Sequence, residues 1–528
     1  MKSYLATTFI IVFFSVTSIK AQPNIRPVFP LQKLGQTIYE GVFTGNGLLG
    51  TMTYIKGDTA LRIDFGRTDV YKHRQDKYTS RLNKARIPIG HIELLLTNDK
   101  IAGSSGQMDL QKANATATIF TKKGKLEIQT TTLAHRDLMI IVVDDSRYQG
   151  QYTLNWKPEQ AVSTWPGFQR NNPLKDYPLN PEGSKQLTDN ITTYKQPFLA
   201  GGGYAVAYKT TAVKKGKIIV ASIGFAQQGD DYYSQTLNQV SQWKTSVAEA
   251  YLQHQERWNA YFARSVLRIP DAALQNFYQM QLYKLGCAAR QNGPGIDLQG
   301  PWTSKTPWPL FWHNLNTQLT YSPVYTANHL EISQTLLNMI DKNGANLAKN
   351  VPQPYQHNSV TIGRVSSLDM VDSLPLRLDD KKDVSGPWFA ELGNLTWLLY
   401  YYHQHYRYSM DTQTGNNLFE ILTKSVNYYL HLLEKNEQGK YHVGVKTSSP
   451  EYPNGYGFDT NYDLAILRWG LKTLISLNAE LNKNDPLLTK WSEVFTNLVD
   501  YPKNEDGFMI AKDIPFAVSH RHYSHLLM

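Results

Sequence analysis

The residues best suited to chemistry or ligand contact are concentrated between 297 and 331, a stretch rich in proline, tryptophan and asparagine. The tryptophans are Trp302, Trp308 and Trp312, and the neighbouring prolines are Pro301, Pro307 and Pro309. Proline cannot sit inside a helix, so these rings are expected on loop or extended backbone. Flat rings followed by two side-chain amides suit a sugar, which has apolar faces and a rim of hydroxyl groups. The alternative is a stiff connection whose tryptophans belong to the core.

The two amides belong to Asn314 and Asn316, which are separated by one residue. In extended chain, residues two apart point to the same side. Amides hold and polarise a water or a sugar hydroxyl without titrating. The alternative is that they cap the backbone ahead of the helical pattern that follows.

Glu451 is the carboxylate best placed to act as an acid. It follows Pro450 and precedes Tyr452-Pro453, so it is expected on stiff, aromatic-lined backbone. Partial desolvation there would raise its pKa into the range of a general acid. The alternative is a loop glutamate that makes a cap or a surface ion pair.

Three histidines near the end of the chain, His520, His522 and His525, resemble a metal-binding pattern. No thiol is nearby, and Asp513 is the only close carboxylate. Zinc sites usually draw on a richer set of ligands. We therefore expect no metal and no cofactor, and His525 fits a structural role.

Composition indicates a well-packed globular protein. The chain has 528 residues, of which 12% are aromatic and only 19% are charged. The net charge is +10, but no long block of Lys or Arg occurs, so nucleic-acid binding is not expected. A cationic cleft for an acidic glycan stays open. The single cysteine, Cys287, lies in a helical pattern, cannot form an internal disulfide and is expected to be buried.

Residues 1–21 have the features of a cleavable secretory signal. Lys2 precedes an apolar run from Leu5 to Val16, and Ala21 stands before Gln22. The run is too short to span a bilayer, and no later segment is as apolar. With no cysteine at the cleavage site for a lipid, the expectation is a secreted or periplasmic protein without membrane insertion.

The remaining chain divides by hydrophobic period. From 24 to 228 the alternation is mostly of period two, which predicts a β-sandwich. The string Gly45 to Gly50 matches a dinucleotide fingerprint, but a strand pattern follows it instead of a helix, so a tight loop at a sheet edge is predicted. Residues 229–270 read as a helical linker, and 271–528 as an α-helical toroid of (α/α)6 type with a cleft at one end.

Five strings, in this order, resemble motifs of glycoside hydrolase family 95, the inverting α-L-fucosidases and related galactosidases. They are Gly45-Asn46-Gly47-Leu48-Leu49-Gly50, Leu298-Gln299-Gly300-Pro301-Trp302, Asn314-Leu315-Asn316-Thr317-Gln318, Ser449-Pro450-Glu451 and His520-Arg521-His522-Tyr523-Ser524-His525-Leu526. The resemblance implies cleavage of terminal α-L-fucosyl or related α-linked sugars from an oligo- or polysaccharide, with inversion.

The resemblance also implies roles for individual residues. Glu451 would be the general acid, and Asn314 with Asn316 would orient the attacking water. Arg521 and His522 would donate to sugar hydroxyls. Trp302, Trp312 and His313 complete the expected substrate-binding set, although Trp312 departs from the family pattern.

Two departures concern the general base. The family's base aspartate lies in an Asp-Gly-Asn-Phe-Gly string that this sequence does not contain. Fewer helical patterns follow Asp271 than a closed toroid requires, so the chain is expected to be truncated and the base lost with the missing part. Asp459, Asp463 and Asp513 are alternative bases, although Asp459 and Asp463 suit helix capping. The loop from Ser366 to Pro387 does not align with the family.

Two other function classes remain open. A polysaccharide lyase also combines helical toroids with β-sandwiches, and the positive charge favours it, but Ser449-Pro450-Glu451 would then have no task. A non-catalytic glycan-binding protein would tolerate the missing base.

Overall fold

The computed structural model describes residues 28–75, 79–165, 176–373, 378–379, 382–383, 391–520 and 522–527. The predicted signal at 1–21, Arg521 and most of 374–390 lie outside these ranges. Within them, the chain forms an antiparallel β-domain followed by a helical domain, as the hydrophobic periods predict.

The strands of the β-domain follow one another with short connections. They are β1 (Val28–Leu31), β2 (Val42–Gly45), β3 (Leu49–Lys56), β4 (Ala60–Arg67), β5 (Gly90–Thr97), β6 (Ile101–Asp109), β7 (Asn114–Thr121), β8 (Gly124–Thr132), β9 (Met139–Tyr148), β10 (Gln151–Pro158), β11 (Ser184–Thr188), β12 (Ile191–Pro197), β13 (Gly203–Val213) and β14 (Gly216–Ala226).

In the described residues these strands make two antiparallel sheets. One has the order β1-β6-β7-β8-β9-β14-β13-β12-β11, and the other has the order β10-β5-β4-β3-β2. Alternate residues of each sheet point inward, and Leu61, Ile63, Leu126 and Ile128 are fully buried in one shared core. Period-two alternation therefore produces the sandwich because every second side chain leaves water.

The Gly45 to Gly50 string is a tight β-hairpin between β2, an edge strand, and β3. Gly45 pairs with Gly50, and Gly47 has φ +85°, a conformation that favours glycine. The amide of Gly47 donates to the carbonyl of Cys287 at 2.9 Å. The sheet-edge loop prediction is confirmed, and the hairpin also contacts the helical domain.

The helices begin with one short turn in the β-domain and then dominate the chain after residue 230. They are α1 (Ser80–Asn83), α2 (Asp231–Ser241), α3 (Val247–Ala263), α4 (Ala272–Ala288), α5 (Asn316–Thr326), α6 (Leu330–Lys342), α7 (Gly344–Lys349), α8 (Asn394–Ser409), α9 (Thr412–Leu432), α10 (Asn461–Glu480) and α11 (Leu488–Asn497).

Short strand pairs and 3₁₀ turns fill the connections. The pairs are β15 (Phe311–Trp312) with β16 (Val365–Ser366), β17 (Leu378–Asp379) with β18 (Lys382–Asp383), β19 (Leu433–Lys435) with β20 (Tyr441–Val443), β21 (Thr447–Ser448) with β22 (Tyr456–Gly457), and β23 (Lys503–Asn504) with β24 (Gly507–Phe508); the turns are Ile38–Glu40, Gln353–Tyr355 and Ser524–Leu526.

Helices α3 and α4 attach the two domains to each other. Trp258 and Phe262 of α3 and Tyr283 and Cys287 of α4 are buried in the core of the sandwich. Cys287 is fully buried, and this burial raises the pKa of its thiol, as expected for an inert cysteine.

The helical domain has the alternating arrangement of an (α/α)6-type toroid. Helices α5, α8 and α10 contact one another in sequence, and α6, α9 and α11 pack outside them. The inner helices are buried most extensively, and α10 buries residues on nearly every side. Loops that enter or leave α5, α8 and α10 are therefore brought to one region. Among the described residues, none of the helices has the length and apolar content that crossing a membrane would need.

Candidate active site

Asn314 lies at the centre of the region where the inner helices begin. Its side chain is completely buried, and its Nδ2 donates to Oε1 of Glu391 at 3.3 Å. Within the described residues its Oδ1 has no hydrogen-bond partner. A buried acceptor without a donor is costly, so this oxygen is suited to accept from a water or a ligand hydroxyl.

Glu391 fixes the orientation of that amide. Its carboxylate accepts from Nε of Arg364 at 3.0 Å and also from Nη2, and from Nδ2 of Asn394 at 3.0 Å. Asn394 is fixed in turn by the hydroxyl of Tyr462 at 2.6 Å. A carboxylate only accepts, so the NH₂ group of Asn314 must face Glu391 and its carbonyl oxygen must face away.

Glu391 was missed by the sequence analysis, which singled out only carboxylates near recognised motifs. It is 77 residues from Asn314, so no local spacing connects the two. A usable signal existed, because Glu391 is a lone charge in the apolar run Trp388-Phe389-Ala390-Glu391-Leu392. Charged residues are rarely buried unless they are paired.

Asn316 has a different environment. It is exposed and is the first residue of α5, whereas Asn314 precedes the helix and is buried. The expectation that both amides point the same way assumed extended chain, whereas the backbone has become helical by Asn316. The residue before the helix, Leu315, makes no side-chain cap.

Glu451 lies in the loop that connects β21 and β22. It is half-buried and adopts φ +58°, a left-handed conformation that is unfavourable for a residue with a Cβ. The loop is closed by the amide of Ser449, which donates to the carbonyl of Gly455 at 2.9 Å. Strained backbone of this kind is retained where surrounding contacts enforce it, and it concentrates at functional sites.

The segment from His520 to Ser524 joins the Glu451 loop to Asn314. The Nε2 of His520 contacts the carbonyl of Pro450 at 3.1 Å, and the hydroxyls of Ser449 and Ser524 are 2.9 Å apart. On its other side, Nε2 of His522 donates to the carbonyl of Asn314 at 2.5 Å. Glu451 and Asn314 are thereby held in one region by a single bridging segment.

His522 is a neutral, positioned imidazole in this arrangement. The amide of Ser524 donates to its Nδ1 at 3.2 Å, so the proton resides on Nε2, which donates to Asn314. Burial lowers its pKa to about 4, although the negative charge of Glu451 acts in the opposite direction. Both ring nitrogens of His522 have protein partners here, and its contact with a sugar hydroxyl stays a prediction. Arg521 lies outside the described residues.

His313 is also enclosed by protein. Its backbone amide donates to the carbonyl of Arg364 at 2.8 Å, and its Nε2 contacts the hydroxyl of Ser366 at 2.7 Å. The ring is fully buried, and burial lowers its pKa to about 3. Within the described residues its Nδ1 has no hydrogen-bond partner, and the expected contact of His313 with substrate stays a prediction.

The three tryptophans have three different environments. Trp302 lies between the domains, where its Nε1 donates to the carbonyls of Thr44 and Thr51 at 3.1 and 3.2 Å. Trp312 is buried at 5% exposure, beneath Trp308, which is 46% exposed and 6.4 Å away edge to face. The ring of Trp302 packs between the domains and also lines a cavity of about 500 Å³, so its substrate-binding role stays a prediction. Trp308 is the most exposed of the three rings.

The alternative base candidates do not join this network. Thr460 caps α10 by accepting from the amide of Asp463. The carboxylate of Asp463 accepts from the hydroxyls of Thr460 at 2.8 Å and Tyr429 at 2.7 Å and is fully buried, which raises its pKa to about 6. Asp459 accepts from the amide of Val443 at 2.8 Å. Asp459 and the exposed Asp513 line a separate cavity of about 370 Å³. The residue that caps α10 is Thr460, not Asp459 or Asp463.

Comparison with known proteins identifies the family. The model of the "Glycosyl hydrolase family 95 catalytic domain" matches residues 226–528. The chain belongs to glycoside hydrolase family 95. It is therefore a glycan-active enzyme of the glycoside hydrolase type, as the motif resemblance implies.

Solved structures resemble this family 95 chain in fold. A protein assigned as a kojibiose phosphorylase, from the human microbiome, has a TM-score of 0.58 and 11% identity, covering 92% of this chain and 72% of that one. A bacterial glucoamylase in complex with acarbose has a TM-score of 0.48 and 10% identity, covering 89% and 70%. No curated protein matches the sequence significantly. The first likeness supports the combination of β-sandwich and (α/α)6-type helices.

The histidines near the end of this family 95 chain do not form a metal site. Across the parts of the chain that the structure describes, no cluster of three or more His, Cys, Asp or Glu side chains is arranged around a common point. His520 and His522 stack with ring centres 5.7 Å apart, and His525 stacks on Phe516 at 4.7 Å. These rings serve packing and hydrogen bonding in this arrangement.

Proposed function

We propose that the protein hydrolyses terminal α-L-fucosyl or related α-linked sugars by an inverting mechanism. Glu451 acts as the general acid, and Asn314 and Asn316 hold the attacking water. The observation that carries the proposal is the bridge from Pro450 through His520 and His522 to Asn314, which joins the acid loop to the amide.

Inversion requires an acid on one side of the glycosidic bond and an activated water on the other, with the two carboxyl groups roughly 6.5–9.5 Å apart. The strained, half-buried loop of Glu451 presents the first group. The Oδ1 of Asn314 accepts a hydrogen bond from the water, because its amide nitrogen already donates to Glu391. Asn316, exposed at the start of α5, supplies the second amide.

Within the described residues we assign no general base. Glu391 is the carboxylate nearest to Asn314, but its side chain is fully buried and engaged by Arg364. A base must reach the water whose proton it takes. Glu391 therefore positions Asn314, and the base belongs to a residue outside this network.

Activity is tested with aryl α-L-fucoside and α-L-galactoside, following the anomer released by NMR. Inverted product is expected, and Glu451→Gln should slow substrates with poor leaving groups most, because these need protonation. Glu505→Gln, an exposed carboxyl in the turn between β23 and β24, is the matched control and should leave rates unchanged. Undiminished turnover of natural linkages by Glu451→Gln would remove Glu451 from the mechanism.

Two other activities have distinct outcomes, which are measured on a uronate-containing glycan beside the aryl glycosides. A lyase would release an unsaturated uronate that absorbs in the ultraviolet, without consuming water. A non-catalytic glycan-binding protein would bind its glycan equally with and without the Glu451→Gln substitution, and neither form would turn over the substrates. Family 95 membership favours hydrolysis over both.

We also propose that residues 1–21 direct export and are removed. Amino-terminal sequencing of the protein recovered from the periplasm or medium of a bacterial host should begin at Gln22. A protein that keeps Met1 and stays inside the cell would contradict this proposal.

A further inference from the structure

Arg81 has an unusual position between two aromatic rings from different parts of the chain. Its guanidinium carbon is 5.6 Å from the ring centre of Trp165, which follows β10, and 5.6 Å from that of Trp312, in β15. Guanidinium groups are attracted to the faces of indole rings at such distances. The contact therefore spans the β-domain and the helical domain.

No carboxylate in the described part of the chain pairs with this guanidinium. Other half-buried arginines differ in this respect: Arg290 pairs with Asp137 at 2.7 Å, and Arg62 pairs with Glu159 at 2.7 Å. Partial burial lowers the pKa of Arg81, with desolvation as the cause. Loss of hydration destabilises a cation unless a nearby anion compensates, and an anionic ligand beside Arg81 would supply that compensation.

The surrounding contacts hold Arg81 in place. The hydroxyl of Ser163 donates to its carbonyl oxygen at 2.5 Å. A few residues further along the chain, Lys84 pairs with Asp369 at 2.7 Å, and the amide of Arg86 donates to the carbonyl of Pro309 at 3.1 Å. The segment that carries Arg81 is thus attached to the helical domain on two sides. A binding group that is fixed before the ligand arrives loses little entropy on binding.

Trp308 adds an exposed apolar surface to this cation. It is 46% exposed and meets Trp312, the ring beneath Arg81, edge to face. Trp312 is two residues before Asn314 in the chain, so a short stretch of backbone connects this aromatic and cationic group to the proposed active site. An apolar ring face together with a guanidinium is the combination that recognises a sugar carrying a negative group.

We propose that Arg81 and Trp308 form a subsite for an anionic group, a carboxylate or a sulfate ester, on the glycan substrate. This proposal deepens the proposed function and rests on it for the role of the neighbouring Asn314. The guanidinium of Arg81 pairs with the negative group, and the ring of Trp308 stacks on the apolar face of the sugar unit that carries this group. The positive net charge of the chain would also favour approach of an acidic glycan.

Binding is tested by calorimetry on the full chain carrying Glu451→Gln, which limits turnover during titration. The carboxylate probe is an oligogalacturonide, with its methyl-esterified form as the neutral match. The sulfate probe is a sulfated fucan oligosaccharide, with its desulfated form as the match. At least one acidic form should bind about tenfold or more tightly than its neutral match, as expected for a charged hydrogen bond.

Arg81→Met should abolish this preference while its unbranched chain continues to pack between the indoles, and Arg81→Lys should retain part of it. Trp308→Ala should weaken acidic and neutral forms alike. The matched control is Arg136→Met, because Arg136 makes a similar contact with a different tryptophan, Trp243, at 5.8 Å. Circular dichroism verifies folding of each variant.

Equal affinity for both acidic probes and their neutral matches, or a preference that survives Arg81→Met, would overturn the subsite. A preference for one probe identifies the carboxylate or the sulfate as the ligand. Turnover of aryl α-L-fucoside is measured separately on the unsubstituted protein. If the protein does not turn over this substrate but still prefers the acidic probes, the proposed hydrolysis is contradicted and the anionic subsite is supported.

Discussion

The imidazole of His522 donates from Nε2 to the carbonyl oxygen of Asn314 at 2.5 Å, although 208 residues separate them. His522 is almost fully buried, and its other nitrogen accepts from the amide of Ser524. This contact attaches the last described segment of the chain to the start of α5. Because the same segment contacts Pro450, a substitution at His522 would alter contacts on both sides of the proposed active site.

Glu391→Gln should reduce kcat at least tenfold with little change in KM. The neutral amide can turn its NH₂ toward Asn314, which releases the fixed orientation of that side chain and leaves Arg364 without its charge partner. Steady-state kinetics with aryl α-L-fucoside, together with the melting temperature, measure both effects.

The control for that variant is Glu331→Gln. Glu331 also pairs with an arginine, Arg264, but on α6, outside the network around Asn314. It should lower the melting temperature and leave kcat unchanged. If Glu391→Gln lost only stability and kept its kcat, Glu391 would be structural and would not position Asn314.

Glu451→Gly should be inactive on natural linkages yet more stable than Glu451→Ala. Both substitutions remove the carboxyl group, but only glycine relieves the left-handed backbone at φ +58°. The difference in free energy of unfolding should be up to about 1 kcal/mol. Urea denaturation measures it, and equal stability of the two variants would show that the loop is unstrained.

Trp302→Ala should destabilise the protein by about 3 kcal/mol without altering glycan affinity. The substitution removes two hydrogen bonds to the carbonyls of Thr44 and Thr51 and an aromatic contact with Phe43 at 4.9 Å. Trp308→Ala is the opposite case, because its exposed ring can leave with little loss of stability. If Trp302→Ala greatly lowers glycan affinity while Trp308→Ala does not, Trp302 contacts the substrate.

The protein should lose stability as the pH falls from about 6.5 toward 4. Burial lowers the pKa of His254, His403 and His522 to about 4 and of His313 to about 3, against the ordinary 6.5. In this window the unfolded chain binds protons that the folded chain excludes. Each of these histidines therefore lowers the free energy of unfolding by roughly 1.4 kcal/mol for each unit by which the pH falls.

Buried carboxyls act in the opposite direction. Burial raises the pKa of Asp463 to about 6, so the folded state keeps a proton there that the unfolded state releases. Burial also raises the pKa of Asp64, Asp341 and Asp459. The histidines with a lowered pKa are twice as many, because His135, His405, His431 and His525 join the four above. Urea denaturation at pH 7, 6 and 5 measures the sum, and stability that rises between pH 6.5 and 5 would contradict the buried, neutral state of these histidines.

Local residue chemistry predicts much of the fold. Alternation in β4 and β8 and helical spacing in α9 and α10 indicate which faces are buried, because each period is a property of the backbone itself. Gly47 marks a hairpin, since its positive φ favours glycine and a strand pattern follows.

The side-chain environments could not be predicted locally. Trp302 and Trp308 lie in the same proline-rich stretch, yet one is used for domain packing and the other is exposed. Asn314 and Asn316 lie two residues apart, yet the helix begins between them. These outcomes depend on which surface packs against each residue, and the local sequence does not contain that surface.

What the sequence by itself determined was the order of a β-domain and an α-helical domain, the family 95 motifs and the individual residues that could protonate a leaving group or hold water. What only the tertiary structure decided was their relation: Glu391 beside Asn314, His522 as a connecting imidazole, and Arg81 between two indoles. Secondary structure follows from interactions a few residues apart. These three contacts join residues far apart in the chain, and only packing of the whole molecule brings them together.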